Sequence, residues 1–145
     1  MKSASPKIYF HSLKSIHFLN NRKKIKAFVE LLFKKERRKL KELHYIFCSD
    51  DYLLKINQEH LQHDFYTDII TFDLSTSNET IGEVYISVDR LKDNALIYHN
   101  RFSNETLRLI FHGALHLCGY KDKKKTDKEM MTQKENFYLK KFSSF

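Results

Sequence analysis

The feature that most restricts the fold is a buried-strand pattern set between two helical patterns. Tyr45-Ile46-Phe47-Cys48 is a continuous apolar run, typical of a strand that is buried on both faces. Residues 21–41, before it, carry apolar side chains at the spacing of one helix face, so we expect a helix there. Ser49, after it, is a candidate N-cap of a second helix. Strands that alternate with helices in this way indicate a sheet with helices packed on it.

The same patterns place the remaining strands and helices. Lys7–His11 is predicted to be the first strand, and residues 69–74 and 83–88 are predicted to pair as antiparallel strands across a short polar loop. Helical patterns fill the rest of the chain, which gives the order β-α-β-α-β-β-α-α-α. This order indicates an α+β fold, with one domain over residues 1–145 and a mixed sheet of about four strands packed with about five helices.

Local signals predict the starts and inward faces of the last helices. Side chains that can accept a hydrogen bond from a free backbone N–H stand before each helical pattern, and they are the expected caps. In chain order these are Ser87 or Asp89, then Ser103, then Thr126 paired with Glu129 in a capping box. The last helix is expected to pack through Met130, Phe137, Tyr138 and Phe142.

The charge of the chain favours a polyanionic partner. The net charge is +8 at pH 7, which suits RNA, DNA or an anionic membrane surface, although solvated lysine-rich helices explain the charge equally well. Cys48 and Cys118 lack C-x-x-C spacing, and no apolar run reaches the roughly 18 residues of a membrane span. The first residues show no signal-peptide pattern, so we expect a cytoplasmic protein with no membrane partner.

A histidine pair and the turn after it predict a metal site. His112 and His116 are four residues apart on a strong helical pattern, so their imidazoles lie on one helix face. Gly119 suits the left-handed turn that ends a helix, which allows Asp122 to return toward the histidines. Two histidines and one carboxylate leave a fourth zinc position open for water, as catalytic sites require. The alternative is a pair of ordinary surface histidines and an acid among lysines.

Gly113 argues against one class of zinc enzyme. In H-E-x-x-H peptidases the residue after the first histidine is a glutamate that acts as general base. Glycine has no side chain for that role, and we expect it to leave room for a group that approaches the metal.

Three blocks of the sequence resemble the YbeY endoribonuclease family, whose members are also called rRNA maturation factors. The family signature H-G-x-L-H-L-x-G-Y-D-H matches residues 112–122 at every fixed position but the last two. Residues 56–72 are similar to the family's L-N-x-x-Y-R-x-x-D-x-P-T-D-V-L-S-F, and residues 81–87 to its L-G-D-I-x-I-S. The blocks occur in the family's order, and the resemblance runs from about Tyr45 to the end of the chain.

The resemblance implies a zinc-dependent endoribonuclease specific for single-stranded RNA, acting in 16S rRNA 3′-end maturation and ribosome quality control. Its implied partners are single-stranded RNA, ribosomal RNA and the small ribosomal subunit, with one zinc ion per chain and no nucleotide cofactor. The third family histidine falls on Asp122, which we infer replaces it as a ligand. Because a carboxylate makes the site less positive than three histidines would, we expect an activity optimum at higher pH.

The second departure concerns phosphate binding, because the family arginine falls on Leu61. Another cation must then bind phosphate. Arg108, one helical turn before His112, is assigned a catalytic role beside His112 and His116. The run that follows the metal motif is assigned to RNA binding and consists of Lys121, Lys123, Lys124 and Lys125. Tyr66, Phe72 and Tyr120 are candidates for stacking on unpaired bases, with core packing as the simpler interpretation.

Several functions remain open from the sequence. Cleavage can proceed by attack of a zinc-activated water or of the ribose 2′-OH on the RNA phosphorus. A ribosome-assembly factor that binds RNA without cutting it is the main alternative, since both family departures are compatible with it. A zinc peptidase and a purely structural metal site are the others.

Overall fold

A four-stranded mixed sheet organises the computed structural model, which describes residues 5–15 and 19–145. The strand order is β1-β2-β4-β3. The strands are β1 (Lys7–Ser12), β2 (Lys39–Cys48), β3 (Ile69–Asp73) and β4 (Glu79–Ser87). β2 pairs parallel with both β1 and β4, and β3 pairs antiparallel with β4, as predicted for the two strands joined by the polar loop. Residues 1–4 and 16–18 of the predicted domain lie outside the described residues.

In the described residues, five helices complete the predicted order β-α-β-α-β-β-α-α-α, and the α+β prediction is confirmed. They are α1 (Arg22–Lys35), α2 (Asp50–His60), α3 (Val88–Ile97), α4 (Phe102–Leu117) and α5 (Lys125–Ser143). None of the helices in the described part of the chain combines the length and apolarity that a membrane crossing needs.

The predicted end of the first helix is wrong. α1 stops at Lys35, and Lys39 already begins β2. Arg37, with a φ of 58°, takes the left-handed conformation that ends helices, and the Arg38 N–H donates to the Phe33 carbonyl at 2.9 Å. Because no glycine or proline stands here, the helical pattern carries no stop signal in the sequence.

Two of the predicted caps are confirmed and two are wrong. The Ser49 and Ser87 hydroxyls each accept a backbone N–H three residues on, at 3.1 Å. α4 begins at Phe102, so Ser103 lies inside the helix, and the N-cap residue Arg101 makes no side-chain cap hydrogen bond. α5 begins at Lys125, and neither Thr126 nor Glu129 caps it. Along α5, Met131 is buried in place of Met130, and Phe137 is exposed.

Two hydrophobic clusters lie on opposite faces of the sheet. Along β4, Val84 and Ile86 belong to the larger cluster and Tyr85 between them packs on the smaller one, because successive strand side chains alternate between faces. The larger cluster fills the space between the sheet and helices α1, α3, α4 and α5. The smaller cluster lies under α2, through Leu53 and Ile56.

Gly113 allows α4 to lie directly against the sheet. A Cβ at this position would come within 2.6 Å of the Val84 Cγ1 atom on β4, closer than real side chains approach. Gly113 is buried and faces the core, so the prediction that it leaves room at the metal is wrong. Its place is structural, since it sets the distance between the sheet and the helix that carries His112 and His116.

Candidate metal centre

The end of α4 turns the chain back over its own histidines. α4 ends at Leu117, and Gly119 follows with a φ of 102°. The Tyr120 N–H donates to the Leu115 carbonyl at 3.1 Å, and the Gly119 N–H donates to the His116 carbonyl at 3.0 Å. This pair of hydrogen bonds is the Schellman motif, which requires the left-handed residue that glycine adopts without strain. The turn brings Asp122 beside the helix face it has just left.

The structure brings the three predicted metal ligands together. Asp122 Oδ2 lies 3.2 Å from His112 Nε2 and 3.2 Å from His116 Nε2. Each of the three residues offers one atom that could bind a metal, and these three atoms all lie within 4.8 Å of one another. In a tetrahedral zinc site with bonds near 2.1 Å, neighbouring ligand atoms stand about 3.4 Å apart. The two measured distances are close to that spacing, so the geometry suits one small cation.

The outer nitrogens of both imidazoles are held by oxygen acceptors. His112 Nδ1 lies 2.6 Å from Glu135 Oε2, and His116 Nδ1 lies 2.9 Å from the Tyr120 carbonyl oxygen. These oxygens only accept, so each Nδ1 donates and each neutral ring presents the Nε2 lone pair. Two lone pairs and the Asp122 carboxylate then point at one place. Such a set of acceptors is stabilised by a cation, either a metal ion or a proton on a histidine, and its chemistry fits a metal ion.

The acidic surroundings of His112 favour positive charge at the site. Burial by itself lowers the pKa of His112, but the hydrogen bond to Glu135 and the charges of Glu135, Asp122 and Asp68 outweigh burial and raise it above 6.5. Burial raises the pKa of Asp68, with the charge of His112 acting in the opposite direction. Asp68 lines the same groove as the histidines, so this carboxyl group holds a proton at higher pH than a solvated aspartate does.

Glu135 supports the candidate metal site and was not assigned in the sequence analysis. The residue is 7% exposed, and its carboxylate bridges two groups, accepting from His112 through one oxygen and from Arg108 Nη1 at 2.8 Å through the other. Glu135 comes from α5, far along the chain from the histidine motif. No short-range spacing could have signalled it.

Arg108 is tied to α5. Besides Glu135, its guanidinium donates to Asn136 Oδ1 at 3.1 Å and lies 3.9 Å from Glu105. The residue lines the groove next to the metal ligands, but its hydrogen bonds are directed to its own protein. These contacts indicate that Arg108 holds Glu135 in place.

The metal ligands lie in an open groove of about 1120 Å³. Of the lysines assigned to RNA, Lys121 and Lys123 line this groove, whereas Lys124 and Lys125 form the start of α5 outside it. Lys128, which the sequence analysis did not assign, also lines it. Part of the wall comes from residues 61–71, including Leu61, which stands where the family has arginine. The groove therefore combines a candidate metal site with lysines. Its loop has leucine at position 61, where a family arginine would supply a cation.

Glu36, at the end of α1, connects the turn after α4 to α5. It follows α1, and its Oε1 accepts the Tyr120 hydroxyl at 2.6 Å while its Oε2 accepts Lys134 at 3.2 Å and the Tyr138 hydroxyl. Burial by itself raises the pKa of Glu36, but these three hydrogen bonds outweigh burial and lower it below 4.5. Glu36 thus holds Tyr120, and the Tyr120 carbonyl in turn orients His116.

The family model and the curated relatives point to one family, and one solved structure shares the fold. The family model described as endoribonuclease YbeY matches residues 8–143. An endoribonuclease YbeY of Cytophaga hutchinsonii is 47% identical over 133 residues, which cover 91% of this chain and 93% of that protein. One from Flavobacterium johnsoniae is 43% identical over 118 residues, covering 81% and 85%. A solution structure of a Thermotoga maritima protein superposes with a TM-score of 0.64 at 26% identity, covering 92% and 88% of the two chains.

Proposed function

Because the chain belongs to the YbeY endoribonuclease family, we propose that it is a zinc-dependent endoribonuclease that cleaves single-stranded RNA. The observation that carries this proposal is the convergence of His112 Nε2, His116 Nε2 and Asp122 Oδ2 at one place in an open groove. A site with three protein ligands and solvent access is the arrangement of catalytic zinc.

The residues around the site have separate roles in the proposed reaction. A zinc ion held by His112, His116 and Asp122 would supply Lewis acidity and lower the pKa of a water in the open fourth position. Glu135 and the Tyr120 carbonyl keep the two imidazoles in the orientation that binds metal. Lys121, Lys123 and Lys128 supply positive charge for the RNA phosphates along the groove. Asp68 is the nearby carboxyl group that can hold a proton.

The proposed substrate is ribosomal RNA. The resemblance to the YbeY family and the net charge of +8 support maturation of the 16S rRNA 3′ end and ribosome quality control, on the small ribosomal subunit in the cytoplasm. Association with the small subunit is tested by sedimentation of the tagged protein with ribosomal particles at several salt concentrations.

The decisive experiment compares cleavage of a single-stranded RNA by the zinc-loaded protein and by the His116→Ala variant. We expect cleavage by the first, loss on chelation, recovery with added zinc and no activity in the variant. Cleavage that survives His116→Ala would show a contaminating nuclease and refute the assignment. A 5′-phosphate on the product supports attack by water, and a 2′,3′-cyclic phosphate supports attack by the ribose 2′-OH.

The metal content of the protein tests the ligand set. Zinc is measured in the native protein and in Asp122→Ala prepared in the same way. We expect the variant to retain less zinc, since a carboxylate that completes the ligand set is removed. Unchanged zinc content would remove Asp122 from the ligands.

Two observations favour a second function, an RNA-binding ribosome-assembly factor without cleavage. Leu61 occupies the position of the family arginine in the groove wall, and the guanidinium of Arg108 is engaged by Glu135 and Asn136. Tight binding of single-stranded RNA without product in the presence of zinc would establish this alternative. A peptidase of the H-E-x-x-H type is disfavoured because Gly113 faces Val84 in the core and offers no carboxylate.

A further inference from the structure

Two stacked rings stand in the wall of the groove that holds the metal ligands. The rings of His63 and Phe65 have centroids 5.0 Å apart and an angle of 21° between their planes, and both residues line the groove. Phe65 remains 55% exposed. We propose that Phe65, with His63 stacked beside it, is a subsite for one unpaired nucleobase of the RNA, an inference that rests on the proposed function.

The loop that presents Phe65 is fixed at its base. Asn57, which is 2% exposed on α2, donates from its side chain to the Phe65 carbonyl at 2.9 Å. The Asn57 carbonyl accepts the backbone N–H groups of Leu61 and His63, each at 3.1 Å. On the far side of Phe65, the Tyr66 hydroxyl donates to Asp51 Oδ1 at 3.2 Å. The backbone is thus held on both sides of an aromatic ring that is left open to the groove.

The composition of the groove favours a base as the occupant. Sites for single-stranded nucleic acid combine cations, which contact the phosphate backbone, with aromatic rings on which bases stack. Here Lys121, Lys123 and Lys128 supply cations beside five carboxylates that line the same groove, and Phe65 supplies the ring. A paired base has both faces covered by its neighbours in the duplex, so only an unpaired base can use such a ring. The subsite would therefore contribute to selection of single strands.

This subsite also bears on the departure at Leu61. The loop carries Leu61 where family members have arginine, and two and four positions later it carries His63 and Phe65. The recognition that the loop can provide here is stacking on a base, with phosphate left to the lysines of the groove.

Phe65→Trp provides a direct test because the chain contains no tryptophan. Fluorescence of this variant is titrated with a ten-nucleotide oligoadenylate in EDTA, which keeps the RNA intact. The matched control is Phe137→Trp, at a phenylalanine 44% exposed on α5 and outside the groove. We expect saturable quenching in Phe65→Trp alone, and none when the oligoadenylate is first annealed to oligouridylate. Equal quenching in the two variants, or by the duplex, would overturn the proposal.

Binding of the same RNA to Phe65→Leu measures the contribution of the ring. Loss of one base–aromatic stack should weaken binding roughly 5- to 150-fold, whereas Phe137→Leu should bind like the wild type. Phe65→Tyr should restore binding, and circular dichroism checks that each variant is folded. Wild-type affinity in Phe65→Leu would overturn the subsite. Absence of cleavage by zinc-loaded wild-type protein, with the binding difference intact, would refute the endoribonuclease proposal and leave the subsite standing.

Discussion

Replacing Glu135 by glutamine should weaken metal binding without touching a metal ligand. The carboxylate accepts two hydrogen bonds, from His112 Nδ1 at 2.6 Å and from Arg108 Nη1 at 2.8 Å, and it is 7% exposed. Glutamine has the same shape but only one accepting oxygen, so one of the two donors is left opposite an NH₂ group. Loss of such a partner typically reduces metal affinity 10- to 100-fold. We expect a loss in that range, about 1.4–2.7 kcal/mol of zinc-binding free energy.

The assay is competition for zinc between the protein and a chromophoric chelator, with Glu129→Gln as the control. Glu129 is an exposed residue of the same helix, and its substitution makes the same change of charge. A second readout is the pKa of His112, followed by NMR in the metal-free protein. Because the charge of Glu135 is among the causes that raise this pKa, its removal should make the pKa of His112 fall. Zinc affinity within twofold of the wild type, with an unchanged pKa of His112, would refute the argument.

Four further outcomes follow from the structure. In the metal-free protein the folded-state pKa of His112 lies above 6.5, so His112 should stabilise the fold below about pH 6.5 and lose that contribution as the pH rises through the folded-state pKa, in denaturation measured across pH. Glu36→Gln should lower the unfolding free energy by about 1–3 kcal/mol in urea denaturation, since the charge that receives three partly buried hydrogen bonds is removed. Gly113→Ala should cost about 1–3 kcal/mol and lower the melting temperature, because the new methyl group would meet Val84. Asp122→His should move the pH optimum of cleavage downward, because a neutral ligand leaves the site more positive.

Each of these outcomes has a control or a contrary result. Glu59→Gln, at an exposed glutamate of α2, should leave stability unchanged where Glu36→Gln lowers it. Ser103→Ala, on the exposed side of α4, is the control for Gly113→Ala, and equal melting temperatures would contradict the close approach to the sheet. A pH optimum that stays in place or rises in Asp122→His would contradict the charge argument. Stability that increases with pH between 6.5 and 8 would contradict the sign given for His112.

The parts of the site that could be predicted are those encoded over short distances. His112, His116, Gly119 and Asp122 lie within a helix end and its turn, where residue spacing fixes geometry. Glu135 reaches His112 only because α5 packs on α4, and that packing depends on the whole core. A buried glutamate looks in sequence like any other acid of a charged helix. Local sequence patterns therefore could not predict that Glu135 supports His112.

Which parts of the fold could be predicted also depends on whether local sequence patterns determine them. The element order was predictable because strand and helix periodicities are local, and the Ser49 and Ser87 caps were predictable because hydroxyl caps act three residues ahead. The end of α1 at Lys35 was not predictable from the sequence. Arg37 adopts a left-handed conformation there, and glycine or asparagine usually occupies such positions. The Ser103 cap was wrong because α4 already begins one residue before it, at Phe102.

The bridge from Glu135 to His112 has a consequence for the order in which the protein is made. A ribosome adds His112 and His116 to the growing chain before Glu135, because Glu135 lies in α5 and the histidines lie in α4. Until α5 is present, the His112 imidazole lacks the carboxylate that orients it. The proposed metal site therefore has its full set of supporting hydrogen bonds only once α5 has packed on α4.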